Sequence, residues 1–124
     1  MLKRSLLIVD DEEAILFAYS DFLSDPTTTI STAKSYLETI ELVNTTTFDG
    51  ALVDLRLGGT DNTEGFDIIR TLRARNPQCK IVLLTAHAEA GTDKRAYSEG
   101  ADIFLEKPAS PAQVHRLFTT LGVL

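Results

Sequence analysis

Residues 6–11 have the sequence Leu-Leu-Ile-Val-Asp-Asp, in which four consecutive apolar residues lead directly into two carboxylates. Two further continuous apolar runs are Ala51–Val53 and Ile81–Leu84. Runs without alternation of apolar and polar residues are typical of parallel strands that helices cover on both faces. Two more segments complete a predicted set of five strands: Ala101–Leu105, and the Thr-rich Thr28–Ala33, which is expected at an edge of the sheet.

The segments between the predicted strands carry apolar residues at helical spacing. This spacing predicts helices over Glu12–Ser24, Ser35–Asn44 and Gly65–Asn76, and a weaker one over Glu89–Glu99. A fifth helix is predicted to begin with Ser110 as its N-cap. The residues predicted to face the core are Ile15, Ala18, Phe22, Leu23, Tyr36, Leu37, Ile40, Val43, Phe66, Ile69, Leu72, Val114, Leu117, Phe118 and Leu121. Strand and helix alternate five times, which predicts a doubly wound α/β fold with a parallel sheet.

The length and composition indicate one globular domain spanning residues 1–124, with 44% hydrophobic and 24% charged residues. A formal net charge of −6 provides no basic surface for phosphate backbones, so direct nucleic-acid binding is not expected. The single cysteine, Cys79, excludes an intrachain disulfide. No apolar span approaches the roughly 20 residues that cross a bilayer, and the expected location is the cytoplasm, without membrane contact.

Polar residues follow the predicted strands at the points where they end. Asp10 and Asp11 follow the first strand, Asp54 the third, Thr85 the fourth and Lys107 the fifth. Ligands of open parallel sheets bind at the carboxyl ends of the strands. Carboxylates there repel each other by about 4 kcal/mol per pair at about 4 Å in an effective dielectric of about 20. A hard divalent cation relieves this repulsion, and oxygen ligands that leave room for water suit Mg²⁺.

A phosphoryl group on Asp54 would complete this arrangement. Mg²⁺, the Thr85 hydroxyl and the Lys107 ammonium could each contact one of its oxygens, which meets the electrostatic needs of phosphoryl transfer. Asp54 is therefore the predicted nucleophile.

Four motifs resemble the response-regulator receiver domains of two-component signalling, the family of the bacterial chemotaxis regulator. They are Leu7–Glu12, Ala51–Leu55, Leu83–Ala86 and Phe104–Pro108. The resemblance covers essentially the whole chain. It implies a flavodoxin-like receiver fold with five helices and the strand order 2-1-3-4-5 of that regulator. It also implies a regulatory domain, not an enzyme, that accepts a phosphoryl group on Asp54 from a histidine kinase or histidine phosphotransfer protein.

The resemblance implies a role for each site residue. Mg²⁺ would be bound by Asp11 directly, by Asp10 mainly through water, by the Asp54 carboxylate and by the backbone carbonyl of Arg56. Lys107 would pair with the phosphoryl group, and the family usually has a cis bond between this lysine and the following proline.

Further roles concern signal output and the lifetime of the phosphorylated state. Thr85 and Phe104 correspond to the pair of switch residues, and the output face would comprise the fourth helix, fifth strand and fifth helix. This face would contact a downstream effector, or a second copy in a phosphorylation-dependent homodimer. Arg56 and His87 occupy the positions that govern hydrolysis of the phosphoryl group, and both are predicted to shield it.

The loop Arg56–Glu64 departs from the family pattern. Gly58 replaces a common proline, and the glycine that matches the family is Gly65, eleven residues after Asp54, so the loop is about three residues longer.

Three alternative functions remain open. A haloacid-dehalogenase-like phosphatase needs a second Asp two residues after the nucleophile, where this chain has Arg56. A flavodoxin-like FMN protein needs a Ser/Thr/Gly-rich loop after the first strand, where residues 10–13 are all acidic. A pseudo-receiver that docks a partner without phosphorylation is the third, and the acidic residues argue against it.

Overall fold

The computed structural model describes residues 3–57, 64–86 and 88–124. Strands and helices alternate along them. The elements are β1 (Arg4–Val9), α1 (Glu13–Leu23), β2 (Thr28–Ala33), α2 (Tyr36–Thr45), β3 (Gly50–Asp54), α3 (Glu64–Arg75), β4 (Lys80–Thr85), α4 (Thr92–Glu99), β5 (Ile103–Glu106) and α5 (Pro111–Thr120). Among the described residues, no helix has both the length and the apolar character needed to cross a membrane.

The five strands form one parallel sheet in the order β2-β1-β3-β4-β5. This confirms the predicted doubly wound fold. The last residue of β1, Val9, lies beside Ala33 of β2 on one side and beside Val53 of β3 on the other. The residues that follow β1 and β3 therefore emerge side by side, where the winding changes direction.

Two hydrophobic clusters, one on each face of the sheet, form the core. Leu7 and Val9 of β1 contribute to the cluster under α2, α3 and α4, whereas Leu6 and Ile8 contribute to the cluster under α1 and α5. Successive side chains of a strand point to opposite faces, so a strand buried on both faces needs apolar residues at every position. This requirement explains the continuous apolar runs in the sequence.

The predicted buried face of α1 is partly wrong. The buried residues are Leu16, Tyr19 and Leu23, whereas Ala18 is exposed and Phe22 is 52% exposed. The apolar residues of α1 cover more than one side of the helix. The predicted set and the observed set are shifted by one residue, and both have helical spacing. Contact with β1 and α5 selects the stripe that contains Tyr19.

In α2, the prediction for Leu37 is also wrong, because its side chain is 77% exposed and Thr39 is buried in that part of the helix. Thr39 can be buried because its hydroxyl donates to the Ser35 carbonyl, at 2.7 Å. The predicted faces of α3 and α5 are confirmed: Phe66, Ile69, Leu72, Val114 and Phe118 are buried, and Leu117 and Leu121 pack against the core.

Two elements begin two or three residues later than predicted. The helix α4 begins at Thr92 and not at Glu89, because Gly91 has a φ of +88° and left-handed backbone does not continue a helix. The strand β5 begins at Ile103 and not at Ala101. The preceding Asp102 accepts a hydrogen bond from the Ile81 backbone N–H through its side chain, at 2.8 Å.

The helix α4 also contacts the edge strand β5 through a side chain. The Tyr97 hydroxyl accepts a hydrogen bond from the backbone N–H of Phe104, at 3.3 Å. An edge strand has backbone groups that its sheet does not pair. Tyr97 thus connects the position of α4 to the backbone of β5.

Candidate functional site

Asp10 directly follows β1 and is held by backbone contacts. Its N–H donates to the Ala33 carbonyl, at 3.1 Å, and its Oδ1 accepts from the Glu12 N–H, at 3.0 Å. Only 3% of Asp10 is exposed. The strand thus fixes this carboxylate at the carboxyl end of the sheet.

Asp54 is the last residue of β3 and is 7% exposed. Its Oδ1 accepts a hydrogen bond from the Arg56 N–H, at 3.4 Å. The helix α3 packs closely behind it, since the Gly65 N–H donates to the Leu55 carbonyl at 3.0 Å. A Cβ on Gly65 would lie 2.6 Å from the Leu55 Cα, so only glycine fits at this contact.

Lys107 brings the two carboxylates together. Its Nζ lies 3.0 Å from Oδ2 of Asp10 and 3.4 Å from Oδ2 of Asp54. Its backbone N–H donates to the Thr85 carbonyl at the end of β4, at 2.8 Å. The bond between Lys107 and Pro108 is cis, as the resemblance implies.

Burial and neighbouring charges change the pKa values of Asp54 and Lys107. Burial raises the pKa of Asp54 to about 6, with the negative charge of Asp10 adding to the increase and the positive charge of Lys107 opposing it. For Lys107, burial alone would lower the pKa, but its hydrogen bond with Asp10 and the charge of Asp54 raise it above the usual value. The raised pKa favours the cationic form of Lys107 between the two carboxylates.

Carboxylate oxygens also gather at the start of α1. Asp10, Asp11 and Glu12 each offer one oxygen, and these three atoms lie within 4.8 Å of one another. The metal site predicted from the sequence includes Asp10 and Asp11 but not Glu12. The signal was available, because Glu12 directly follows them in the first motif. An all-oxygen set of this kind has the chemistry that a hard divalent cation requires.

The remaining predicted residues surround this group. Thr85, at the end of β4, is 1% exposed, and Phe104 of β5 is half-buried and packs against the cluster under α2, α3 and α4. Arg56 forms an ion pair with Glu89, at 3.5 Å. His87 and residues 58–63 of the long loop lie outside the described residues.

A contact of Tyr19 with the segment after Lys107 was not predicted from the sequence. The Tyr19 hydroxyl donates to the carbonyl of Ala109, two residues after Lys107. The only signal in the sequence was a tyrosine at helical spacing among aliphatic residues, and a buried tyrosine needs a hydrogen-bond partner for its hydroxyl.

Comparisons with known proteins agree with this geometry. The family model of the response regulator receiver domain matches residues 6–119. The alginate biosynthesis transcriptional regulatory protein AlgB of Pseudomonas syringae pv. tomato is 38% identical over 109 residues, which are 88% of this chain and 24% of AlgB. The photosynthetic apparatus regulatory protein RegA of Cereibacter sphaeroides is 35% identical over 96% of this chain and 63% of RegA. The chain thus spans about a quarter of the length of AlgB and less than two thirds of RegA.

Solved structures share the fold. A CheY-like receiver domain from Methanospirillum hungatei has a TM-score of 0.85 and 24% identity, covering 97% of this chain and 94% of that domain. A response regulator from Burkholderia pseudomallei, solved with a phosphorylated aspartic acid, a calcium ion and citrate, has a TM-score of 0.81 and 28% identity, covering 90% of this chain and 64% of that one. The architecture, the strand-end carboxylates and the family match together show that this chain belongs to the response-regulator receiver family, whose members are regulatory domains of two-component signalling.

Proposed function

We propose that residues 1–124 form a receiver domain that accepts a phosphoryl group on Asp54 from a histidine kinase or a histidine phosphotransfer protein in the cytoplasm. An Asp54 oxygen attacks the phosphorus of the donor phosphohistidine, the P–N bond breaks, and the leaving imidazole nitrogen takes up a proton. The observation that carries this proposal is the Lys107 ammonium in contact with both Asp10 and Asp54. A cation beside the nucleophile stabilises the charge that develops on the phosphoryl oxygens.

Mg²⁺ is the proposed cofactor, and the donor set fits it. Asp10, Asp11 and Asp54 provide carboxylate oxygens, and the Arg56 backbone carbonyl is the fourth proposed ligand. The structure adds the Glu12 carboxylate to the nearby oxygens. When bound, Mg²⁺ would neutralise negative charge on the phosphoryl group. The Burkholderia regulator holds calcium, which is likewise an oxygen-seeking divalent cation.

Thr85 and Phe104 are the proposed switch residues. Thr85 would donate its hydroxyl to the phosphoryl group, and Phe104, half-buried on the neighbouring strand, would respond by changing its packing. The proposed output face, formed by α4, β5 and α5, would then contact a downstream effector or form a phosphorylation-dependent homodimer. The net charge of −6 supports an output through protein contacts, without direct nucleic-acid binding by this domain.

An apolar groove beside the site supports a protein as the phosphodonor. The groove has a volume of about 350 Å³ and lies between α1 and the segment after β5. It is lined by Ala18, Pro108 and Lys107, among others, and the exposed Phe22 lies one turn further along α1. Because Lys107 belongs to both the groove and the site, an amphipathic helix of the donor seated here would lie beside Asp54.

Phosphorylation with a small-molecule donor tests the proposal. Protein incubated with acetyl phosphate and Mg²⁺ should gain one hydroxylamine-labile phosphoryl group in an intact-mass measurement. Asp54→Asn and addition of EDTA should each abolish the gain, whereas Asp21→Asn, which removes an exposed carboxylate of α1, should leave it unchanged. Labelling that persists in Asp54→Asn, or in EDTA, would disprove the assignment.

A further inference from the structure

The side chain of Tyr19 connects α1 to the segment that carries Lys107. Tyr19 is 6% exposed, and its hydroxyl donates to the backbone carbonyl of Ala109. Ala109 lies between β5 and α5, immediately after the cis peptide of Lys107 and Pro108. The hydrogen bond therefore joins the first helix to the last loop of the fold.

Hydrogen bonds hold the backbone of this segment at both of its ends. At its start, the Lys107 N–H donates to the Thr85 carbonyl, at 2.8 Å. At its end, Ser110 forms a capping box at the first turn of α5. Between them, Pro108 has no N–H to donate. The Tyr19 hydroxyl supplies a hydrogen bond between these two ends, at Ala109, two residues after Lys107.

The position of the Lys107 backbone determines what its ammonium can reach. Its Nζ lies between Oδ2 of Asp10 and Oδ2 of Asp54, at 3.0 and 3.4 Å. Catalytic groups lose much of their effect when they are displaced by about 1 Å. Tyr19 is also electrostatically close to the site: burial raises the pKa of its hydroxyl, while the charge of Lys107 lowers it and that of Asp10 raises it.

We propose that Tyr19 is a positioning residue for phosphoryl transfer. Its hydroxyl fixes the segment between β5 and α5 so that the Lys107 ammonium lies where the transferred phosphoryl group needs it. Because its hydroxyl is bonded to the Ala109 carbonyl, Tyr19 would act through the backbone that carries Lys107. The inference rests on the proposed function of Asp54 as the phosphoacceptor.

The first test is Tyr19→Phe, which removes the hydroxyl and keeps the ring. Phosphorylation by acetyl phosphate should be followed by intact mass over a series of Mg²⁺ concentrations. The maximal rate should fall about three- to tenfold, the effect expected for one hydrogen bond that positions a charged group. The Mg²⁺ concentration at half-maximal rate should stay within about twofold, since the acidic oxygens are untouched. A small donor also makes the result independent of the groove where a protein donor would dock.

The matched control is Tyr36→Phe. Tyr36 is half-buried at the start of α2 and packs against the opposite face of the sheet. Its variant should retain the maximal rate of the unmodified protein. An equal loss of rate in both variants, or a wild-type rate in Tyr19→Phe, would overturn the proposal.

A double-mutant cycle tests whether Tyr19 acts through Lys107. In a Lys107→Ala background, Tyr19→Phe should change the rate by less than about 1.5-fold, because no ammonium remains to be positioned. The same fold-loss in both backgrounds would show that Tyr19 acts by another route. These outcomes also separate the two proposals: absence of labelling in the unmodified protein refutes the phosphoacceptor, whereas normal labelling of Tyr19→Phe refutes only the positioning role.

Discussion

The Lys107 Nζ lies 3.4 Å from Oδ2 of Asp54, although β5 and β3, which carry these residues to the site, are not neighbours in the sheet. The strand β4 lies between them, and the Lys107 backbone is hydrogen-bonded to Thr85 at its end. The lysine side chain must therefore extend across the end of β4 to reach Asp54. A shorter side chain at this position cannot bring a charge to Asp54.

Lys107→Ala is predicted to change two properties in opposite directions. The phosphorylation rate with acetyl phosphate should fall about a hundredfold, because a fixed charge beside the nucleophile is lost. The affinity for Mg²⁺ should rise, because the ammonium no longer competes for the carboxylates. Rates from intact mass and a calorimetric Mg²⁺ titration would measure the two effects. Lys80→Ala, at the opposite end of β4, is the control, and a weaker Mg²⁺ affinity in Lys107→Ala would contradict the idea of competition.

Asp54→Asn is predicted to stabilise the domain in EDTA. The Asp54 carboxylate is buried near Asp10, and the neutral amide avoids this cost, so the free energy of unfolding at pH 7 should rise by about 1–2 kcal/mol. The folded-state pKa of about 6 exceeds the usual value of 3.8, so the folded protein binds a proton at Asp54 more tightly than the unfolded chain does. This contribution to the free energy of unfolding is lost as the pH rises from about 4 to about 6. The gain should therefore shrink towards pH 4 in urea titrations.

Asp102→Asn serves as the contrasting variant for that measurement. One oxygen of Asp102 accepts from the Arg73 guanidinium and from the Ile81 N–H, both at 2.8 Å. Its substitution should destabilise the domain at pH 7, since it weakens satisfied charged hydrogen bonds. Stabilisation by both variants would show that Asp54→Asn acts only through net charge.

Arg56 and Glu89 should affect the lifetime of the phosphorylated protein in opposite directions. Arg56→Asn should accelerate hydrolysis about three- to tenfold by opening the approach of water to phosphorus, and adding His87→Ala should accelerate it further. Glu89→Gln should slow hydrolysis, because it releases the guanidinium from its partner at 3.5 Å. Loss of the phosphorylated mass after removal of the donor gives the rates. An unchanged or slower rate in Arg56→Asn would refute shielding.

Gly65→Ala is predicted to destabilise the domain by about 2–3 kcal/mol in urea titrations, more than Gly91→Ala. The new Cβ would lie 2.6 Å from the Leu55 Cα and 2.9 Å from the Asp54 carbonyl oxygen, and backbone atoms there cannot move independently. Gly91→Ala is a useful comparison, because Gly91 has a φ of +88° but no atom within 4 Å of the added Cβ. Its cost should be about 1–2 kcal/mol from backbone conformation alone. A loss at Gly65 no larger than at Gly91 would contradict the close contact.

Addition of beryllofluoride and Mg²⁺ should shift amide resonances on the output face as well as around Asp54. The Phe104 amide is the most informative, because its N–H donates to the Tyr97 hydroxyl and so reports on α4 and β5 together. The amides of Leu37 and Glu41, two exposed residues of α2, provide the reference. Shifts confined to the surroundings of Asp54 would refute the proposed switch.

The sequence predicted the strands well because burial on both faces leaves a strong signal. A continuous apolar run such as Ile81–Leu84, with predicted helices on both sides in the sequence, fits few structures other than a buried parallel strand. The orientation of α1 was less certain, because its apolar residues include both Tyr19 and Phe22, and the sheet selected only the first. Helix propensity and residue spacing do not determine which side of α1 faces the sheet, because that depends on tertiary contacts.

Within the site, the sequence predicted residues at and just after strand ends but not the contacts of Tyr19 and Glu89. Asp10, Asp54 and Lys107 meet because parallel strands end at a common edge. Tyr19 and Glu89 reach the site region through side chains that extend from helix α1 and from the segment before α4. Such contacts depend on loop conformation, which hydrophobic spacing does not specify.

The hydrogen-bonded Tyr19 and Tyr97 also provide intrinsic fluorescence signals, so that no added label is needed. The chain contains three tyrosines and no tryptophan, so tyrosine emission is free of the energy transfer to indole that hides it in most proteins. Tyr19 is hydrogen-bonded to the segment after Lys107, and Tyr97 is hydrogen-bonded to the edge strand β5. Tyr36 lies on α2. With Tyr36→Phe as background, ultraviolet fluorescence becomes a native, real-time signal from the proposed phosphoryl-binding side and the proposed output side of the same molecule.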